Sequence, residues 1–489
     1  MRPTREKLIF ELGAPGHGGV DFAPFPLPLC DPAAVLGAGL VREEVEGFPE
    51  VSEVEVVRHF TRLSLDNYCI DHGLYPLGSC TMKYNPKIND RMAALPPLRE
   101  SHPMAPAELC QGNLRLLHIL ETALQGVTGM DAFSLQPAAG AQGELTGMLV
   151  IRAHHEAQGN PRKTVLIPDS AHGTNPASAA ICGYTVTEVK SGRDGRVDLE
   201  SLESKLSTDV AAMMITNPNT LGIFESRIKE IADRLHSVGA LLYMDGANMN
   251  ALMGYVRPKD TGVDVLHLNL HKTFSTPHGG GGPGAGPVGV VEALERYLPS
   301  PRIAVDHEGG KARYRLDHDR PDSIGKVHGF YGNFGILVRA LCYILAYGGD
   351  GLKRVTELAV LNANYLRARL SDTYNLPYPT PSMHEVILND KAQETTGVKT
   401  LDIAKRLMDY GFHPPTIYFP LIVSGALMIE PTETESVDEL DRFVAAMQAI
   451  ARECLEDPDL VRNAPHSTPV RRLDETRAAR QPVLRYKKS

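Results

Sequence analysis

Helical stretches alternate with short apolar strands between Ala107 and about Gly289, and this alternation limits the fold more than any other feature of the chain. The predicted strands cover residues 164–168, 185–189, 210–215, 241–244 and 263–268. Strands separated by helices usually pair into a parallel-rich sheet that helices cover. The sequence therefore predicts an α/β domain, and open sheets of this kind bind their ligands at the carboxyl ends of the strands.

Polar side chains follow three of the predicted strands, in the order Asn217, Asp245 and Lys272. A lysine that the protein desolvates can act as a nucleophile towards an aldehyde. This order suits enzymes that hold pyridoxal phosphate (PLP) on a lysine, because the acid keeps the pyridine nitrogen protonated and the asparagine polarises the ring hydroxyl. Each residue alone also has an ordinary interpretation, since Asp245 could cap a helix and Asn217 could form a turn before proline.

Two glycine-rich segments complete the candidate site. Residues 279–284 follow Lys272 closely along the chain. Residues 136–145 lead into a stretch of helical composition at 144–155, so that free N–H groups and the positive end of the helix dipole would face a phosphate. The segment matches neither a Walker motif nor a dinucleotide fingerprint, because no Gly-Lys-Ser/Thr follows and the glycine spacing differs.

Three longer motifs resemble those of the glycine cleavage system P-protein family, also called glycine dehydrogenase (aminomethyl-transferring) or glycine decarboxylase. They are LGSCTMKYNP at residues 77–86, PDSAHGTNP at 168–176 and NLHKTF at 269–274, in the family's order. The resemblance extends from Leu8 to Glu433 and does not cover the residues after about 460. The chain length suits the separate, PLP-bearing second subunit that some members have.

The resemblance implies a PLP-dependent transferase of fold type I, with PLP held covalently on Lys272. Asp245 would pair with the pyridine nitrogen, and Asn217 would reach the ring oxygen. Ala247 would lie under the ring, and His172 would stack on its opposite face. The phosphate would be held by four consecutive residues, Ala139, Gly140, Ala141 and Gln142.

The resemblance also indicates which residues meet the substrate and move protons. The segment 78–85 would help to form a glycine pocket through Ser79, Cys80, Thr81, Lys83 and Asn85. His172 and His271 are the candidates for proton transfer. His267 and His271 are four residues apart and would share a face of the predicted strand, but no third and fourth ligand cluster with them in the sequence, so no metal site is expected.

The activity that the resemblance implies is decarboxylation of glycine, with transfer of the aminomethyl group to the lipoyl arm of the H-protein. A P-protein subunit 1 would complete an α2β2 heterotetramer. Two alternatives stay open: another PLP enzyme of fold type I, such as an aminotransferase or a cysteine desulfurase, or a non-catalytic scaffold that binds the carrier protein. The segment 429–436 lacks the late arginine with which aminotransferases usually hold a second carboxylate, which disfavours that option.

Composition and charge agree with this interpretation. The net charge of −9 offers no basic field for nucleic acid. No stretch approaches the roughly 20 apolar residues of a membrane span. Seven cysteines, an odd number without a CxxC pair, indicate reduced thiols and a cytoplasmic location.

The sequence predicts four regions. Residues 1–105, rich in proline and glycine, form an extended arm with a helix near 52–65, and residues 106–335 form the large PLP-binding domain. Residues 336–460 form a smaller α+β domain, reached through a long helix at 334–370, with a strand at 384–388 and helices at 400–410 and 437–455. Residues 461–489 form a basic tail, which could be a solvated terminus or a patch that receives the acidic carrier.

Overall fold

The computed structural model describes residues 6–19, 22–24, 26–42, 45, 47–278 and 284–486. The glycine run predicted beside the lysine therefore lies, up to residue 283, outside the described residues. The chain divides into two compact units, one formed by the residues before Gly73 together with those after Asn463, and the other by Gly73–Asn463. The four-region division stays a prediction.

Twelve strands are present among the described residues. In chain order they are β1 Ala132–Ser134, β2 Thr164–Pro168, β3 Thr185–Val189, β4 Val210–Thr216, β5 Leu241–Gly246, β6 Val265–Leu268, β7 Val288–Val290, β8 Arg302–Glu308, β9 Lys311–Asp317, β10 Val386–Asn389, β11 Thr416–Ile417 and β12 Ala426–Ile429.

Seven strands form the main sheet, in the order β1-β7-β6-β5-β4-β2-β3. The five from β2 to β6 run parallel, and β7 is antiparallel to both β6 and β1. The parallel-rich α/β sheet predicted from the sequence is confirmed. All five predicted strands are present, and the last of them starts at Val265 instead of residue 263.

Fifteen α-helices surround the strands in the described part of the chain. They are α1 Pro32–Leu36, α2 Glu53–Leu65, α3 Lys87–Ala93, α4 Pro96–Arg99, α5 Gln111–Thr128, α6 Gly140–Ala157, α7 Thr174–Ile181, α8 Leu199–Glu203, α9 Ile228–Ser237, α10 Leu270–Thr273, α11 Phe334–Leu370, α12 Thr400–Asp409, α13 Val437–Glu456, α14 Pro458–Arg462 and α15 Glu475–Arg480.

The main sheet has an apolar core on each face, because successive side chains of a strand point to opposite sides. Met213 and Leu242 pack with α5, α9 and α11 on one face. Ala212 and Tyr243, their neighbours along the same strands, pack with α6 and α7 on the other. The result is a sheet between two helical layers, whose strand ends are held rigidly enough to position a site.

The long helix α11 joins this domain to the smaller one, as the sequence predicted. A non-helical residue, Gly348 with φ of 61°, bends it. By length and composition α11 could cross a membrane, the only such helix among the described residues. However, Leu337 belongs to the main core and Leu366 to the core of the smaller domain, as expected of a core helix in a water-exposed fold.

The smaller domain is an antiparallel sheet in the order β10-β12-β11, packed with α12 and α13. Its strand and two helices agree with the prediction to within two residues at each end. The unit that contains both chain termini holds α1, α2 and α15. There the predicted helix near 52–65 is confirmed as α2, whose first turn is fixed by a capping box between Ser52 and Glu55.

Candidate active site

The three strands that carried the candidate polar residues are neighbours in the sheet. Thr216 pairs with Asp245 across β4 and β5, and Asp245 pairs with His267 across β5 and β6. Asn217 follows Thr216 directly, and Lys272 lies on α10, just after β6 ends at Leu268. The parallel arrangement therefore brings the predicted Asn217, Asp245 and Lys272 to one edge of the sheet.

Lys272 is partly buried, and its amine has no hydrogen-bond or ion-pair partner among the described residues. It follows β6, as predicted, and lies on the short helical turn α10. Its positive charge affects the pKa of a surrounding group of side chains, which are Cys80, Glu144, His172, His267, His271, His278, His384, Glu385 and Glu430. An unpaired lysine among acids and histidines can form a covalent bond with a carbonyl ligand.

Asp245 is buried, with one backbone donor and one histidine ring beside its carboxylate. Its Oδ1 accepts from the Ala247 N–H at 2.9 Å and lies 3.3 Å from His267 Nε2. The other ring nitrogen of His267, Nδ1, lies 2.7 Å from the Tyr243 hydroxyl. Burial lowers the pKa of His267, which favours the neutral ring, and Nδ1 of that ring shares a hydrogen bond with the Tyr243 hydroxyl.

The sequence prediction did not place His267 beside Asp245, and the cluster that it joins does not include His271. Ligand atoms of Glu144, Asp245 and His267 all lie within 4.8 Å of one another. Pairing of β5 with β6 and packing of α6 on the sheet bring the three residues together. The absence of a metal stays a prediction.

The His172 ring is exposed at the start of α7 and has the charges of Lys272 and Asp245 as neighbours. Desolvation by the surrounding protein lowers its pKa, and the charge of Lys272 lowers it further. Its edge meets the Phe419 ring at 5.6 Å. An exposed, neutral aromatic ring at this position can stack on a planar ligand.

Asn217 is almost fully buried, and its Oδ1 accepts from the Glu225 N–H at 3.0 Å. This bond fixes the orientation of the amide, because the oxygen is occupied and only the NH₂ group can donate elsewhere. The prediction that Asn217 donates to a ring oxygen is compatible with this geometry.

The N-terminus of α6 is open to an anion. Its N-cap residue, Ala139, has no side-chain cap, and the first helical hydrogen bond runs from Gly143 N to Ala139 O at 2.9 Å. The N–H groups of residues 140–142 therefore lack helical acceptors. Gln142 can offer only its backbone N–H, because its side chain accepts from Ala138 N at 2.7 Å and donates to Val327 O at 2.6 Å.

Gly140 is required at this helix start because of close packing. A Cβ atom there would overlap the amide of Asn269, which lies in the segment that carries Lys272. The absence of a side chain lets α6 approach that segment closely. The uncapped helix start, Asp245 and the oriented Asn217 together fit the phosphate, the pyridine nitrogen and the ring oxygen of PLP.

The predicted substrate loop is held by two buried carboxylates that the sequence did not reveal. Ser79 and Thr81 have left-handed backbones, with φ of 63° and 51°. Glu385 Oε2 accepts from Ser79 N at 2.9 Å, and Glu430 accepts from both Thr81 N at 2.8 Å and Thr81 Oγ1 at 2.7 Å. These bonds stabilise a conformation that non-glycine residues rarely adopt, and they position Cys80 between the two.

The two carboxylates are close neighbours. Ligand atoms of His384, Glu385 and Glu430 lie within 4.8 Å of one another, and all three side chains are fully buried. Burial and the charge of Glu430 raise the pKa of Glu385 well above its ordinary value. Burial also raises the pKa of the Cys80 thiol, so this cysteine is not an activated thiolate.

Lys83 supports the segment that carries Lys272, and its place in a glycine pocket stays a prediction. Its buried ammonium donates to Thr273 O at 2.7 Å, to Glu433 Oε1 at 2.7 Å and to Tyr343 Oη at 3.2 Å. These acceptors take all three N–H groups. Asn85 donates to the Lys83 carbonyl at 3.0 Å.

His271 has a strongly lowered pKa. Burial and the charges of His278 and Lys272 together lower that pKa to about 3. Its Nδ1 accepts weakly from Ala285 N at 3.4 Å. The ring is therefore neutral at physiological pH, and the role of His172 and His271 in proton transfer stays a prediction.

Comparisons with known proteins give matches to both family models and relatives. Residues 355–466 match the family model of the glycine dehydrogenase C-terminal domain, and residues 145–281 match that of the class-V aminotransferases. A probable glycine dehydrogenase (decarboxylating) subunit 2 from Caldanaerobacter subterraneus subsp. tengcongensis is 56% identical over 492 residues, covering 100% of each chain. The protein of the same name from Bacillus licheniformis is 54% identical, again over 100% of each chain.

This chain belongs to the family of glycine dehydrogenase (decarboxylating) subunit 2. The family resemblance proposed from its motifs is thereby confirmed. The match extends across the tail after residue 460, which the motifs did not cover.

Solved structures show the fold. An inhibitor-bound crystal structure of glycine decarboxylase (P-protein) of the glycine cleavage system superposes with a TM-score of 0.73 at 20% identity, covering 86% of this chain and 94% of that one. A sphingosine-1-phosphate lyase from Burkholderia pseudomallei gives a TM-score of 0.62 at 15% identity, with 88% and 96% covered. The predicted fold type I of PLP-dependent enzymes, with a smaller C-terminal domain, is confirmed.

Proposed function

We propose that this chain is the PLP-bearing second subunit of the glycine cleavage P-protein and that it decarboxylates glycine. One observation supports this most strongly: the unpaired amine of Lys272 lies at the same sheet edge as Asp245 and Asn217. This geometry suits PLP enzymes in general. The full-length identity of 56% to a probable glycine dehydrogenase (decarboxylating) subunit 2 supports glycine as the substrate.

Each residue of the site has a distinct task towards PLP. Lys272 would hold it covalently, and the first-turn N–H groups of α6 would bind its phosphate. Asp245, kept in place by the N–H of Ala247 and by His267, would face the pyridine nitrogen with its negative charge. Asn217 would donate to the ring oxygen, while His172 and Ala247 would cover the two ring faces. When bound, PLP supplies an electron sink for the electron pair that remains as carbon dioxide leaves.

The charges around the lysine suit decarboxylation. The charge of Lys272 opposes the raised pKa values of Glu144, Glu385 and Glu430. Residues 429–436 lack the late arginine with which aminotransferases usually hold a second carboxylate. Buried neighbours also exclude water, which favours a reaction that disperses the charge of a carboxylate.

The remaining partners follow from the same proposal. The relatives are named subunit 2, which implies a subunit 1, and we propose an α2β2 assembly of the two. The aminomethyl acceptor would be the lipoyl arm of the H-protein. We place the enzyme in the cytoplasm, where its seven cysteines, all of them free thiols within the described residues, would stay reduced.

Release of carbon dioxide from carboxyl-labelled glycine tests the proposed reaction. The chain, loaded with PLP, would be mixed with subunit 1 and lipoylated H-protein. We expect label release that requires all components and is lost with the unlipoylated carrier. Alanine and cysteine serve as matched substrates: amino transfer from alanine or sulfur release from cysteine at a comparable rate would support the alternative PLP enzymes. A chain that takes up no PLP would support the scaffold alternative.

A further inference from the structure

A chain of hydrogen bonds joins the buried carboxyl group of Glu144 on α6 to the ring of His172. The Thr174 hydroxyl lies 2.9 Å from Glu144 Oε1 and 2.8 Å from His172 Nδ1. The Thr174 backbone N–H also points at Nδ1, at 3.3 Å. Ser178 Oγ lies 3.3 Å from the second carboxyl oxygen of Glu144. Thr174 is therefore the only described link between the acid and the imidazole.

A hydroxyl group has one proton, so two arrangements carry a continuous link through Thr174. If Glu144 is ionised, Thr174 donates to the carboxylate, and the imidazole must donate Nδ1–H to the Thr174 oxygen. If Glu144 is protonated, it donates to the Thr174 oxygen, Thr174 donates to Nδ1, and the imidazole carries its proton on Nε2. The backbone N–H of Thr174 needs Nδ1 as an acceptor and thus favours the second arrangement.

The surroundings of Glu144 also favour its protonated form. Its side chain is buried, with Asp245, Tyr243 and His267 on the sheet side and Lys272 beyond them. Burial and the negative charge of Asp245 raise the pKa of Glu144 to about 8, against the smaller lowering effects of Thr174, Ser178 and Lys272. Protonated Glu144 therefore predominates at neutral pH, and its ionisation lies within reach of mildly alkaline conditions.

We propose that Glu144, Thr174 and His172 form one proton-storing unit, in which the protonation of Glu144 sets the tautomer of His172. The two arrangements differ by the proton on His172 Nε2. When Nε2 gives up that proton to a basic atom of the bound reactants, the Thr174 proton moves to Nδ1 and the Glu144 proton moves to the Thr174 oxygen. Proton uptake at Nε2 reverses both steps.

The unit assigns separate tasks to its members. His172 is the group that meets the reactants, which rests on the proposed function, whereas Glu144 and Thr174 are positioning residues that act through it. His172 itself faces Lys272, Asp245 and the Phe419 ring, and the depressed pKa keeps it from becoming an imidazolium at neutral pH. A neutral histidine can thus deliver a proton, because the buried carboxyl group of Glu144 supplies a new proton to the ring through Thr174.

The tautomer of His172 can be measured directly in the full chain with ¹⁵N-labelled histidine. The His172 signals are identified by their loss in His172→Gln. Near pH 7 we expect Nδ1 to have the shift of an unprotonated nitrogen and Nε2 that of a protonated one. As the pH rises through about 8, the two nitrogens should exchange these characters.

Variants separate the unit from ordinary packing. In Glu144→Gln the amide donates permanently to Thr174, so the pH-dependent exchange should vanish and Nε2–H should persist. Thr174→Val should also abolish the exchange, and Thr174→Ser should restore it. Ser178→Ala is the matched control, since it removes a hydrogen bond to Glu144 outside the link and should move only the midpoint. An exchange that persists unchanged in Glu144→Gln or Thr174→Val would overturn the proposal.

The same samples keep this inference distinct from the proposed function. Uptake of PLP and its reductive fixation on Lys272 are measured beside the tautomer. A coupled tautomer in a chain that binds no PLP would contradict the proposed function and retain the proton-storing unit. Normal PLP uptake with an uncoupled tautomer would contradict the proton-storing unit alone.

Discussion

Replacing Lys83 by methionine tests how the lysine segment is supported. Methionine keeps the length and apolar stem of the side chain but removes the ammonium that bonds Thr273 O, Glu433 and Tyr343. The side chains of Lys83 and Glu433 are only 1% and 6% exposed, so the carboxylate would be left buried with the Tyr343 hydroxyl as its remaining partner. Removing one partner of a buried pair costs about 3–5 kcal/mol.

This loss of unfolding free energy can be measured by urea unfolding of the full chain, with tyrosine fluorescence as the signal for the Gly73–Asn463 unit. The double variant Lys83→Met/Glu433→Leu removes both charges and should recover most of the stability, since an apolar pair often replaces a buried ion pair without cost. Lys190→Met is the matched control: its exposed pair with Glu188 should contribute less than about 1 kcal/mol.

Loss of the Lys83 ammonium should also affect the active site, because its acceptor Thr273 directly follows Lys272 and ends α10. We expect weaker PLP retention in Lys83→Met than in the double variant Lys83→Met/Glu433→Leu, where an apolar pair fills the site of the ion pair. A loss below about 1 kcal/mol, or a double variant no more stable than the single one, would refute the reasoning that the buried pair supports this segment.

Three further predictions concern the site. Asp245→Asn should retain PLP but lose about 100- to 1,000-fold in kcat, as expected when one preorganised charge is removed; near-normal decarboxylation would exclude the electron-sink role of Asp245. His271→Gln should leave the shape of the pH–rate profile unchanged from about pH 5 to 9, because the pKa of His271 lies at about 3, and a lost acidic limb would contradict this. Burial lowers the pKa of the His384 ring from 6.5 to about 3. Between these two pH values the unfolded chain binds one more proton than the folded chain, so the free energy of unfolding falls as the pH falls. His384→Leu should reduce the slope of unfolding free energy against pH by about 1.4 kcal/mol per pH unit in urea titrations, and an unchanged slope would contradict this prediction.

The fold was largely predictable because its signals are local. Apolar runs such as residues 210–215 and 241–244 are too short and too apolar for anything but buried strands, and they recur between helical stretches. Parallel neighbours end at the same edge, which is why the sequence alone sufficed to group Asn217, Asp245 and Lys272. The position of Lys272 on a helical turn was not predictable, since a four-residue helix leaves no periodic pattern.

The supporting residues were beyond the reach of local patterns. Pairing of β5 with β6 places His267 beside Asp245, and packing of α6 on the sheet adds Glu144. Glu385 directly precedes β10, and Glu430 directly follows the neighbouring strand β12. Both hold a loop that is hundreds of residues away in the chain. Lys83 lies in that loop, so its motif suggested substrate contact, whereas the fold uses its charge to pair with Glu433.

Reduction of the PLP-loaded chain with borohydride, followed by peptide mapping, tests the central claim most directly. The account predicts a single pyridoxyl adduct on Lys272, no adduct in Lys272→Ala, and an unchanged adduct in the surface control Lys190→Ala. An adduct on another lysine, or a chain that takes up no PLP, would contradict it.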